Sequence, residues 1–181
     1  MRGFQAASVS RILAESGVTK GALYHHFASK TELGYAVFDE VYAPQLCAVW
    51  ITPLQPAGSD PLQRLIDMIT LASGQTSEAD VVRGCPINNL AQEMSPVDAG
   101  FRVRIEQLFA QWRDAIEQAL MHAQDSAMLG PDVDPQSAAT FIVASLEGCI
   151  GMAKNAQSHA ILMQCGDGLI AYLRSLRRQD P

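Results

Sequence analysis

The sequence predicts an all-α chain built as two domains. Three observations carry this. Two short helices joined by only three or four residues lie near the N-terminus, apolar stripes of helical period run through the rest, and no stretch alternates with strand period over a useful length.

Val9, Ile12, Leu13 and Ala14 give the first helix an apolar side, and Gly17 ends it. Thr19 stands at an N-cap position, where its hydroxyl accepts from the next turn, so a second helix opens at once. Leu23 and Phe27, spaced i,i+4, supply its buried side. A unit of this kind ordinarily has a further helix packed across the pair. None precedes Ser8, so a truncation or a displaced start is expected, with Val9, Leu13, Leu23 and Phe27 short of cover. Ser29 caps a third helix with Leu33, Ala36, Val37 and Val41 along one side, linking the two domains; Pro44 should kink it near Tyr42 to Pro44 before the pattern resumes at Leu46, Val49 and Trp50.

Pro53, Pro56 and Gly58 predict a loop, and Asp60-Pro61 is an N-cap followed by proline at the first helical position. Leu62, Leu65, Ile66, Ile69 and Leu71 then face a core, with Gly74 helping to end the helix. Gly84-Cys85-Pro86 opens a short helix through Met94, which Ser95-Pro96 breaks. The longest stripe follows: Phe101, Ile105, Leu108, Phe109, Trp112, Ile116 and Leu120, opposite Arg102, Glu106, Arg113 and Glu117. Asp134-Pro135 repeats the cap signal for a helix through about Lys154, a last helix runs from about His159 to Leu176, and the Asp180-Pro181 end is expected to fray.

The 181 residues suffice for a substantial core. Apolar residues make up 48% of the chain, yet no run approaches the ~18 residues of a membrane span. Cys47, Cys85, Cys149 and Cys165 have no disulfide-framework or metal spacing and no leader pattern is present, so the expected compartment is the cytoplasm. The net charge of −6 is unevenly distributed: residues 1–30 hold four cations against one anion, +3, and the rest nine against eighteen, −9. Any phosphate contact therefore belongs to the N-terminal end, and an acidic body excludes a chain that coats nucleic acid along its whole surface.

The outward side of the second helix carries Lys20, Gly21, Tyr24, His25 and His26. Lysine, tyrosine, histidine and helix N-terminal N–H groups are donors for phosphate oxygens, and a glycine lets backbone approach DNA closely. Singly, each such residue is more often an ordinary surface residue; following a short turn, the set points to a helix that reads a DNA groove.

The stretch Ser8 to Leu33, S-V-S-R-I-L-A-E-S-G-V-T-K-G-A-L-Y-H-H-F-A-S-K-T-E-L, resembles the N-terminal signature of the TetR/AcrR family of bacterial transcriptional regulators. Beyond it the likeness is one of helical architecture and length. The resemblance implies that residues 1–43 form a helix-turn-helix DNA-binding domain with a linker helix and that residues 44–181 form a helical effector-binding and dimerisation domain. It implies that Lys20, Tyr24, His26 and Lys30 contact phosphates and that Thr19, Gly21 and His25 lie at or near base edges. It also favours an intersubunit bundle made from the last two helices, whose small residues, among them Ala144, Gly148 and Gly151, permit close approach; a buried intrachain hairpin is the other reading.

For the effector pocket, Trp50, Met68, Phe109 and Trp112 are candidate lining that plain core packing also explains. Asn88, Asn89, Gln92 and Glu93 are candidate polar groups for a small ligand. Cys85 precedes Pro86 at a helix start, where exposed N–H groups favour a thiolate, and Lys154 is a possible positive partner; a redox or electrophile sensor is the sharper reading and a buried apolar cysteine the plainer one. Gly166 to Ala171 fits G-x-G-x-x-A, but no strand precedes it, so chance explains it. No phosphate loop, H-E-x-x-H pair, metal cluster or catalytic constellation is found, so neither enzyme nor cofactor is expected. The sequence therefore predicts a homodimeric regulator, most simply a repressor, that binds a double-stranded DNA operator and leaves it when a small-molecule effector changes the separation of the two DNA-reading heads. The alternative is a helical ligand-binding or interaction protein with impaired DNA binding.

Overall fold

The computed structural model describes residues 3–54 and 60–178. The described chain is helical throughout: α1 Val9–Ser16, α2 Lys20–His26, α3 Lys30–Val37, α4 Ala43–Leu46, α5 Pro61–Gln75, α6 Glu78–Arg83, α7 Pro86–Met94, α8 Ala99–Asp125, α9 Pro135–Ala156 and α10 His159–Ser175. The one extended pairing among these residues is an isolated bridge between Leu129 and Arg177. The chain divides into two compact units: Met1–Gln45 with Pro86–Gln107, and Leu46–Cys85 with Leu108–Pro181. The first unit is thus discontinuous in sequence.

In the first unit local chemistry sets the starts of α1, α2 and α3. Ser8, Thr19 and Ser29 each turn a side-chain oxygen onto a backbone N–H three residues on, those of Arg11, Ala22 and Glu32. Gly17 closes α1 at φ 69°, left-handed backbone that glycine adopts without a Cβ penalty. Burial is sparse here. Neither α1 nor α3 holds a buried residue, α2 buries Leu23 alone, and Val9, Ile12, Leu13 and Phe27 are half-buried. The denser part is formed by Phe38, Ile87, Met94, Phe101 and Ile105.

A cluster of aromatic and polar contacts braces this unit. Asp98 Oδ1 accepts from the Tyr35 hydroxyl at 2.6 Å and from the Phe101 N–H at 2.9 Å, so it caps the start of α8 and holds α3 at once. Arg104 lies 4.1 Å over the Tyr35 ring and donates to Asp39 at 3.0 Å. Phe4 and Tyr35 both meet Phe101 edge-on, at 5.0 and 4.8 Å between ring centres. Gly34 and Gly100 make the fit possible: a Cβ on Gly34 would strike Phe4 and Phe101, and one on Gly100 the Tyr35 hydroxyl.

Pro44 does not break the helix; it lies in α4 between two π-helical stretches, Phe38–Tyr42 and Cys47–Ile51. A proline lacks the N–H for a regular turn and its ring crowds the preceding carbonyl, and wider turns on either side accommodate both effects. Of the predicted loop, Pro53 ends in a 3₁₀ turn, while Pro56, Gly58 and the Asp180-Pro181 end lie outside the described residues.

The second unit holds the larger core. Asp60 and Asp134 cap α5 and α9 with proline in the first turn, as the sequence predicts. Leu62, Ile116, Leu120, Ile142 and Leu173 are fully enclosed, each such burial stabilising by roughly 1.5–3 kcal/mol. Leu71 is the exception in the α5 stripe: it is 59% exposed, five residues after Ile66 and so rotated off the buried face. The short helix α6 was not foreseen; Ser77 and Asp80 form a reciprocal capping box, and Val81 is its one buried residue. Backbone bonds from Gly130 to Leu176 and from Arg178 to Met128, both 2.9 Å, tie the loop after α8 to the end of α10. Gly166, from the dinucleotide-like string, is buried inside α10, where its missing side chain leaves room for Ser73.

Candidate nucleic-acid interface

Lys20, Gly21, Tyr24, His25 and His26 are all exposed on α2, with Thr19 exposed at its cap. The Thr19 hydroxyl accepts from the Ala22 N–H at 3.2 Å, so its oxygen already serves the helix. Lys20 Nζ lies 5.9 Å over the Tyr24 ring, one turn on, and the His25 and His26 rings meet edge-on at 5.2 Å. Nothing lies within 4 Å of a Cβ built on Gly21, so its bareness serves no packing need within the chain. Leu23 anchors the opposite side of the helix. The resulting surface is a donor-rich strip on a short helix set behind a three-residue turn, Gly17 to Thr19.

Lys30 differs from the rest. Its ammonium donates to the Gln5 carbonyl at 3.1 Å and lies 4.7 Å from the Phe4 ring centre, so it steadies the segment before α1 and is half-buried.

The eight pocket candidates fall in both units. Asn88, Asn89, Gln92 and Glu93 belong to the first, on α7. Glu93 has partners that spacing does not signal: its carboxylate accepts from the backbone N–H groups of Phe4 at 2.7 Å and Gln5 at 2.8 Å, and a Cβ on Gly3 would collide with it. Trp50, Met68, Phe109 and Trp112 belong to the second unit. Trp50 and Trp112 pack with ring centres 5.4 Å apart. Trp112 is 1% exposed and, among the described residues, its indole N–H has no hydrogen-bond partner. A buried donor without an acceptor costs roughly 1–3 kcal/mol, so this atom is a place where an incoming acceptor gains.

Two further features belong to the second unit. An open groove of about 640 Å³ runs between α8 and α9, lined by Arg113, Asp114, Glu117, Gln136, Ser137, Thr140, Phe141 and Ala144, none of which is a pocket candidate. Cys85 is half-buried beside Gly84, whose φ of 66° and lack of a side chain let the Lys154 stem lie against the backbone. Among the described residues no helix is long and apolar enough to cross a membrane.

A helix-turn-helix in one helical unit, in a chain with a second, larger helical unit, defines the class of DNA-binding transcriptional regulators. The comparisons with known proteins agree. The model for "Bacterial regulatory proteins, tetR family" matches residues 1–37 and that for "Tetracyclin repressor-like, C-terminal domain" matches residues 61–165. The chain belongs to the TetR family of transcriptional regulators. Among curated relatives it is similar to the transcriptional repressor DhaR of a Mycobacterium strain, 29% identical over 82% of this chain and 73% of that protein. It is also similar to the A-factor receptor protein of Streptomyces griseus, 35% identical over 81% of this chain and 47% of that one. Among solved structures, the regulatory protein TetR from Rhodobacter sphaeroides superposes with a TM-score of 0.82 at 26% identity, covering 94% of this chain and 90% of that one. A TetR regulator from Chloroflexus aurantiacus gives 0.83 at 25%, covering 98% and 88%.

Proposed function

We propose that this regulator is a homodimeric, cytoplasmic repressor whose α2 enters the major groove of a double-stranded operator and whose second unit binds a small-molecule effector that releases it. The observation that carries the DNA reading is the strip on α2: five exposed residues on one short helix, one of them a cation and three of them aromatic donors, with open space over Gly21. Lys20, Tyr24 and His26 contact phosphates, and Thr19, Gly21 and His25 lie at or near base edges. Lys30 contributes charge beside its contact to Gln5. A mobility-shift titration on the DNA upstream of the chain's own gene tests this, and a helical binding protein with impaired DNA affinity would give no specific complex.

The unpartnered indole N–H of Trp112, packed against Trp50, supports effector binding in the second unit. An effector with an acceptor group and an apolar body suits that pair. Met68 and Phe109, both half-buried, are further candidates for the lining in that unit; Asn88, Asn89, Gln92 and Glu93 belong to the first unit and remain candidate polar groups on α7. That one relative is named a receptor and another a repressor fits the same reading.

Dimerisation is assigned to α9 and α10. Gly148, Gly151 and Gly168 are exposed with open space over each, so packing within one chain does not require them. Phe141 and Met152 are 51% and 62% exposed on α9, and Met163 is 37% exposed on α10. Bare backbone beside exposed apolar side chains is what close helix approach between protomers uses. Gly151→Arg leaves the monomer room to fold and places a cation in the contact, so sedimentation should show monomer. A variant still dimeric at micromolar concentration refutes the placement.

Cys85 is proposed as an electrophile-responsive thiol, on the grounds of its half-burial and the Lys154 stem lying against Gly84 beside it. Iodoacetamide titration across pH tests it: Cys85 must alkylate faster than Cys47, Cys149 and Cys165 near neutral pH.

A further inference from the structure

The α9–α10 seam holds two cysteines that the proposed function does not use. Cys149 is buried on α9 in an apolar cluster with Val81, Ala153 and Leu162, and Cys165 of α10 packs against that cluster half-buried. Cys165 thus packs from α10 against the same cluster that holds Cys149 on α9. We propose that Cys149 and Cys165 form a reversible disulfide within one protomer when a hydroperoxide oxidises them.

The chemistry follows from where each sulfur sits. Cys165 is the more exposed and meets the oxidant first: its sulfur takes one oxygen from the hydroperoxide, the O–O bond breaks, and an alcohol, or water from hydrogen peroxide, leaves. Cys149 then attacks the Cys165 sulfenic acid. The S–S bond forms as the S–O bond breaks, and the Cys149 proton leaves with the hydroxyl as water. In total the dithiol loses two electrons and two protons, and the hydroperoxide gains them. Burial, and then the interaction with Cys165, push the Cys149 thiol up to about 12, so Cys149 holds its proton and Cys165 is the first of the pair to meet an outside oxidant. The apolar surroundings also keep water and larger thiols from competing for the sulfenic acid. Ile150 and Ile161 complete that wall.

The bond would staple α9 to α10 away from the exposed Gly148 and Met152, so it does not require the proposed dimer to open. Val81 of α6 touches the same cluster, which places the oxidised state in contact with a third helix.

Peptide mapping of the full chain decides the matter. The reduced protein is treated with hydrogen peroxide, then unfolded in denaturant while free thiols are blocked with N-ethylmaleimide, and the digest is read without reductant. The expected result is a cross-linked peptide joining Cys149 and Cys165, lighter by two hydrogens, abolished by dithiothreitol and running as one protomer on a non-reducing gel. Cys165→Ser should leave Cys149 as a free, blockable thiol. Cys149→Ala should leave a Cys165 sulfenic acid that dimedone traps. Cys165 is only half-buried, so its variant keeps the test informative if Cys149→Ala does not fold. Recovery of both cysteines as maleimide adducts from the oxidised wild type, sulfinic acid on Cys165 without a cross-link, or a bond joining two protomers would each overturn the proposal.

Discussion

The two units are held together differently. Helix α9 alone buries eight residues, whereas α1 and α3 bury none and α2 buries one. The α1–α3 segment instead depends on caps at Ser8, Thr19 and Ser29 and on a few directed contacts, Tyr35 with Asp98, Arg104 with Asp39 and Glu93 with the Phe4 and Gln5 amides. The surface proposed to meet DNA leaves its side chains outward, and so forgoes the apolar burial that steadies the second unit. Local opening should therefore be easier at α1 to α3 than at α9, which hydrogen exchange would read as faster exchange there.

Truncation in the core should show the largest contrast. Ile116 is fully enclosed, and Ile116→Ala should cost ~2–5 kcal/mol in a urea titration; the half-buried Ile12→Ala should cost clearly less. Equal losses would erase the distinction between the units.

Cap removal should act on the head alone. Thr19→Ala strips the acceptor from the Ala22 N–H and should cost ~1 kcal/mol, with faster exchange in α2 and none in α9. A uniform change across both units would contradict the local role.

The smallest effect is one of pH. The Tyr35 hydroxyl, and then the Phe101 N–H, hold the Asp98 carboxyl below its ordinary range, while the same bond to Asp98, helped by desolvation, raises Tyr35. A depressed carboxyl stabilises above its unfolded value and is lost as pH falls through its folded one; a raised tyrosine stabilises below its unfolded value and is lost as pH climbs through its folded one. The pair thus supports the first unit between about 4 and about 10, the unfolded values of the two groups. Asp98→Asn should flatten the acid side of that window, measured by thermal melting from pH 3 upward. An acid limb as steep as the wild type's would remove Asp98 from the account.

Much of the fold was legible because its signals are local. Asp60-Pro61, Asp134-Pro135, Gly17 and Thr19 each fix a helix end within four residues, and those ends stand where the spacing put them. Helix α6 escaped because six residues with one buried valine show no period, and its capping box uses aspartate where glutamate or glutamine is usual. Leu71 misled because a stripe read by eye takes in any apolar neighbour. The outward strip of α2 was legible for the same local reason as the caps. Glu93, Asp98, the Trp50–Trp112 pair and the Cys149–Cys165 pair were not, since each depends on partners brought together by folding, up to 89 residues apart for Glu93 and Phe4.

The central claim is that the exposed strip on α2 binds DNA through its phosphates. Fluorescence anisotropy of a labelled duplex from upstream of the gene, titrated with wild type and with Lys20→Ala over a range of salt, measures it directly. The account predicts specific binding by the wild type, weaker binding by the variant to every duplex, and a log–log salt slope smaller by about one. A folded variant with wild-type affinity and an unchanged slope would contradict it.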